Sequence, residues 1–178
     1  MSLFKRFVGT VYRGHHPAWA YQPESGEGAA LYGGRFNRVG TPCLYTATTI
    51  ETAWLEAQQG FAFKAQPLTV CAYAVDCADV IDLTDAAVRT AAGIALADLA
   101  CDWEYRADRN DSVPSWTIAE QLMAAGCAGM IVPSFASRAG PRDNNLVLWK
   151  WARALPHKII VIDDDLRLPR NQLSWQAL

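Results

Sequence analysis

No aspartate occurs before Asp76 in this chain of 178 residues, and the only acids in that first stretch are four glutamates. Long apolar runs are missing too. No segment approaches the roughly 18–20 uninterrupted apolar residues that a membrane span needs. The opening MSLFKRFVGTVYR has no extended apolar core of the secretory kind, so the expected location is the cytoplasm. There is no basic excess: sixteen Lys and Arg stand against eighteen Asp and Glu, a formal net charge of −2, which argues against a general nucleic-acid binder. No CxxC pair is present. The five cysteines, Cys43, Cys71, Cys77, Cys101 and Cys127, are odd in number, widely spaced and set among apolar residues, the pattern of reduced core thiols. His15, His16 and His157 do not stand at metal-ligand spacing. The run Asp163-Asp164-Asp165 directly follows apolar Ile159–Ile162 and reads as a strand ending in a turn, so no metal is expected.

Internal repeats and low-complexity linkers are also absent, which leaves residues 1–178 as a single domain. With 51% hydrophobic residues, a chain of this length buries roughly 70% of the surface its unfolded form exposes. Its charge is unevenly placed. Residues 1–75 carry six basic side chains against four glutamates, residues 76–111 nine acids against three arginines, and residues 112–178 seven basic against five acidic. The acidic middle block is either a solvated helical face or a partner surface centred on Asp98, Asp102 and Glu104.

Strands are expected at Phe7–Arg13, Cys43–Ala47, Leu68–Val75, Gly129–Pro133, Leu146–Trp151 and Lys158–Asp163. Thr48-Thr49-Ile50-Glu51 matches a capping box, and Ile50, Ala53, Trp54 and Ala57 follow at helical spacing until Gly60. Ala86–Arg109 reads as one or two helices, and Ser115–Ala125 as another that Gly126 terminates. Six to eight strands with interspersed helices make an α+β or mixed α/β domain. Between the first two strands lies a long segment rich in Gly, Pro and Ser, holding Tyr32-Gly33-Gly34-Arg35-Phe36-Asn37. A loop of that length in a compact domain is usually functional or disordered, and its aromatics and arginine suit a binding surface.

Certain polar residues stand out. Arg13 ends an apolar strand, where an arginine ordinarily pairs with a carboxylate. Arg35 follows two glycines, an arrangement that allows close backbone approach and planar recognition of phosphate or carboxylate, although it has neither Walker spacing nor a dinucleotide fingerprint. Tyr45 and Glu56 border one cleft if the strand end faces it; otherwise the phenol is core and the carboxylate solvated. Ser134 follows the strand ending at Pro133, a place for a ligand-binding hydroxyl or for a plain turn. Asn144-Asn145 reads as a turn.

In that order, Val11-Tyr12-Arg13, Gly33-Gly34-Arg35-Phe36-Asn37 with Gly40, Leu44-Tyr45-Thr46-Ala47, Ala53-Trp54-Leu55-Glu56, Val132-Pro133-Ser134 and Asn145-Leu146-Val147-Leu148-Trp149 resemble the RES domain over about residues 7–168. Its arginine, glutamate and serine match Arg13, Glu56 and Ser134. The last block and the acidic close are similar to the ParT-like branch, while Phe36 and Leu146 depart from the commonest pattern. The resemblance implies an α+β fold of the ADP-ribosyltransferase (diphtheria-toxin) type, a mixed sheet core with surrounding helices. It implies the toxin of a bacterial type II toxin–antitoxin pair that consumes NAD+, by hydrolysis or by ADP-ribosyl transfer to a protein, with an Xre-like helix-turn-helix antitoxin as partner. In the implied site Glu56 stabilises the transition state, Arg13 and Arg35 grip the dinucleotide, Tyr45 stacks on nicotinamide, Ser134 hydrogen-bonds the substrate and Asn145 supports them. No membrane, metal or direct nucleic-acid partner is expected, and an isologous dimer is the default assembly. Two alternatives stay open: a ribonuclease using His15 or His16 with Arg13 and Arg35, and a non-catalytic module binding through its seven tryptophans.

Overall fold

The computed structural model of the protein describes residues 2–58 and 66–173. Six strands form the frame: β1 (Phe4–His15), β2 (Leu44–Ala47), β3 (Thr69–Asp82), β4 (Gly129–Pro133), β5 (Asn144–Leu148) and β6 (His157–Val161). They are hydrogen-bonded in the order β1-β2-β5-β4-β3-β6, and β1 also pairs with β3 along nearly its whole length, from Phe4↔Ile81 to His15↔Thr69. Neighbours therefore close a ring through β1, β2, β5, β4 and β3, with β6 added on β3. Among these six strands only β3 and β4 pair in parallel with one another. Most partners lie far apart in sequence.

Strand alternation divides the core. Leu146 and Leu148 face inward with Val11, Leu44, Tyr73, Val75 and Ile159. Val147, between them on β5, points the other way, with Met130, Val132, Ile118 and Leu122. The second cluster packs under α4 (Leu96–Leu99) and α6 (Pro114–Ala124). The architecture is thus mixed α+β, a sheet with helices around it. Among the described residues no helix is long and apolar enough to cross a membrane, and no group of three or more His, Cys, Asp or Glu could hold a metal ion.

Several expected boundaries shift. The first strand runs from Phe4 to His15 because its pairing with β3 continues past the apolar core, and the fifth stops at Leu148 rather than Trp151. The expected Ala86–Arg109 helices are three short ones, α3 (Ala86–Ala92), α4 and α5 (Trp103–Asp108). Gly93 ends the first at a left-handed φ of 68°, where a side chain would be strained. The long connection holds a 3-10 turn (Pro17–Trp19) and α1 (Glu27–Tyr32). Helix α2 (Ile50–Ala57) is capped by Thr49, not Thr48: Thr49 Oγ1 accepts from Thr52 N, so Glu51 is not the reciprocal partner. Gly60, its expected stop, lies outside the described residues. Past β6, Asp163 accepts from the N–H groups of Arg167 and Leu168, closing a turn.

Candidate functional site

A cleft of about 520 Å³ opens between α2, the end of β1, β2 and the loop after α1; Arg13, Arg35, Tyr45, Glu56 and Asn145 all line it. Its size falls within the range of small-molecule sites.

Glu56 sits on the last turn of α2, half-buried. Its Oε1 accepts from Ser134 Oγ at 2.5 Å and from Asn145 Nδ2 at 2.5 Å. Two charge-assisted donors converging on one oxygen fix the plane of the carboxylate. Ser134 is itself nearly buried and is not on the cleft wall; it reaches Glu56 from the end of β4, while its Oγ also accepts from Ala136 N. Asn145 lies on β5 in register with Val132 and Ala47. Its Nδ2 gives one hydrogen to Glu56, and its Oδ1 is buried with no partner among the described residues.

The opposite wall is held by backbone carbonyls. Arg13 Nη1 donates to Ser25 O at 2.8 Å and Pro23 O at 3.4 Å. The ordinary carboxylate partner of a strand-end arginine is not what it meets, and burial lowers its pKa from the usual guanidinium value. Pro23 O also accepts from Tyr73 OH at 2.8 Å. A phenol has one hydrogen, so the 2.7 Å contact of His15 Nε2 with Tyr73 OH has the imidazole Nε2–H as donor. Burial, and secondarily the Arg13 charge, push the His15 pKa down to about 3. An imidazole so depressed and already donating its proton is poorly suited to the acid–base work of a ribonuclease.

The Gly33–Asn37 loop is built by contacts within the chain. Gly33 ends α1 with φ +72°. At Gly34 an added Cβ would stand 2.6 Å from Tyr45 Oη and 2.8 Å from Asn37 Oδ1, so the close approach the two glycines permit is to the protein's own tyrosine. Tyr45 OH donates to Asn37 Oδ1 and accepts from Phe36 N; Tyr45 lines the cleft and also packs against the core cluster of Val147 and Met130, and burial raises its pKa. The carbonyls of Gly34, Arg35 and Phe36 accept from Trp116 Nε1, Ser115 Oγ and Trp149 Nε1 respectively. Arg35 donates to Cys101 O at 2.6 Å and lies 5.0 Å from the Phe135 ring centre, and burial lowers its pKa.

Several contributors escape a reading of the sequence. Asn37 orients Tyr45, and Ser115, Trp116 and Trp149 clamp the arginine loop; the last two are tryptophans whose ring N–H groups are as important as their area. The acidic block, expected as a solvated face or a partner surface, reaches the site: Trp103 and Glu104 line the same cleft.

The RES domain family model matches residues 10–171, and the chain belongs to that family. A comparison with curated protein sequences gives no match. Among solved structures, the chain is similar to one in the crystal structure of the M. tuberculosis MbcT–MbcA toxin–antitoxin complex. The TM-score is 0.62 and the identity 24%, over 90% of this chain and 84% of that one. The likeness at that identity is one of fold.

Proposed function

We propose that this RES-domain protein consumes NAD+, as the growth-arresting toxin of a type II toxin–antitoxin pair, with a fold of the ADP-ribosyltransferase kind. The observation that carries this reading is the Glu56 carboxylate, pinned by Ser134 and Asn145 in a cleft that Arg13 and Arg35 also line. Cleavage between nicotinamide and ribose expels a neutral leaving group from a cationic one and passes through an oxocarbenium-like transition state. A carboxylate already held in place stabilises that charge by about 3–4 kcal/mol without reorganising. Arg13 and Arg35 match the anionic pyrophosphate through their forked donors, and the Tyr45 ring offers a face to a planar base. Ser134 acts through Glu56, setting its orientation.

A structural relative solved as a toxin–antitoxin complex supports an antitoxin partner; by the resemblance to RES toxins, that partner carries an Xre-like helix-turn-helix and the setting is cytoplasmic. Incubation of the purified protein with NAD+, followed by mass spectrometry of small molecules and proteins, tests the reading. Free ADP-ribose marks hydrolysis, and a protein adduct marks transfer. Intact NAD+ alongside degraded RNA would overturn both.

A further inference from the structure

Helix α2 is joined to the β4–β5 connection at two levels, and only the second contains Glu56. The first is a directed chain of hydrogen bonds. Thr52 Oγ1 donates to Asp143 Oδ1 at 2.5 Å. Having given its hydrogen there, Thr52 Oγ1 is the acceptor in its 2.8 Å contact with Thr49 Oγ1, which in turn accepts from Thr52 N. Asp143 Oδ2 accepts from Gly140 N, and Asp143 O from Ser134 N, so the same residue shapes the loop that begins at Ser134. These contacts hold the Asp143 carboxyl below the usual carboxylate range, the Thr52 hydroxyl contributing most and Gly140 N–H next. Thr48 N and Oγ1 both donate to Asn144 O. Thr52 and Glu56 are four residues apart, on one face of α2, and both look onto residues 134–145.

We propose that Asp143 is a positioning residue for Glu56: by holding Thr52 it fixes α2 against the β4–β5 connection, so that the carboxylate one turn later meets Ser134 and Asn145 together. Thr52 is fully buried, so its hydroxyl is committed to this contact and cannot turn to water. An error of about 1 Å in a reacting group costs on the order of a hundredfold in rate, and a freed α2 is a direct route to such an error. The kinetic part of this inference rests on the NAD+-consuming reading; the structural part does not.

The test uses Asp143→Ala, Thr52→Val, their double variant and Thr52→Ser, each checked for folding by thermal melting. NMR follows the Asn145 side-chain amide protons, which are displaced by the Glu56 carboxylate whether or not NAD+ is consumed. Both disruptive variants should move those signals, and Thr52→Ser should restore them. If wild-type protein consumes NAD+, Asp143→Ala should lower kcat about tenfold or more with KM within about twofold. The double variant should be no worse than the poorer single one. Unmoved Asn145 signals in folded Asp143→Ala overturn the inference outright, as does an unchanged kcat in an active enzyme. Multiplying losses in the double variant would also overturn it. Absence of NAD+ loss in the wild type sinks the proposed function alone, and the amide signals then decide the role of Asp143.

Discussion

The two charged walls of the cleft are held by opposite means. Glu56 is fixed by side-chain donors delivered from strand ends 78 and 89 residues away, whereas Arg13 is fixed by carbonyls of a loop only ten and twelve residues on. A carboxylate held by two side chains depends on residue identity at every member. An arginine bonded to carbonyls depends on the path of the loop, whatever its side chains are. The first wall is therefore sensitive to conservative substitutions that leave the fold intact; the second is sensitive to changes in loop conformation.

The largest expected effect falls on the first wall. Glu56→Gln keeps the size and the acceptor oxygen but removes the charge, and NAD+ consumption should fall by about 10²–10³ with an unchanged melting temperature. Full activity in folded Glu56→Gln protein would remove the carboxylate from the chemistry and the contrast with it. Next is Gly34→Ala, which acts through the backbone on the loop that carries Arg35. Its Cβ meets Tyr45 Oη at 2.6 Å and the ring carbon bearing it at 3.0 Å, neither able to move without breaking the Asn37 bond. A loss of about 1–3 kcal/mol in stability is expected, read by denaturant unfolding, together with weaker NAD+ binding. Arg13→Ala should raise the NAD+ concentration required about tenfold and change kcat less, because a gripping residue acts on substrate and transition state alike. A kcat loss without a KM change would place Arg13 with Glu56 instead.

The same division decides what could be read from the sequence. The strands were legible because β-branched and apolar residues run together in β3, β4, β5 and β6. The cap of α2 was displaced by one residue because two threonines stand side by side and only geometry selects Thr49. Glu56, Ser134 and Asn145 have no spacing that joins them; their ordered blocks reached them through family resemblance, and the fold brings them to one oxygen. Asn37 stands in the glycine–arginine block and Ser115 at an expected helix start, but neither contact had a signal in the sequence, and nothing marked Asp143 at all. Each is a common polar residue whose role lies in a contact across the fold, without a local pattern. The glycine pair suggests close approach of the backbone to a ligand, and the group that closely approaches Gly34 is the protein's own Tyr45.

The smallest expected effect separates the walls by pH. His15 is neutral in the folded protein with a pKa of about 3, against 6.5 for the exposed group. Between those values the unfolded chain binds a proton that the folded chain does not, so stability is complete above about 6.5 and is lost as the pH falls. The protonated ring would also face the Arg13 charge, and the loop at Pro23 is what that strain reaches through Tyr73. Going from about pH 7 to about pH 5.5, wild type should lose about 1 kcal/mol that His15→Gln does not lose, measured by urea unfolding of both proteins. Carboxylates that titrate lower contribute to both proteins alike and cancel in the difference. Parallel pH profiles would mean that His15 takes up its proton without resistance, and the wall that holds Arg13 would then be no more acid-sensitive than the one that holds Glu56.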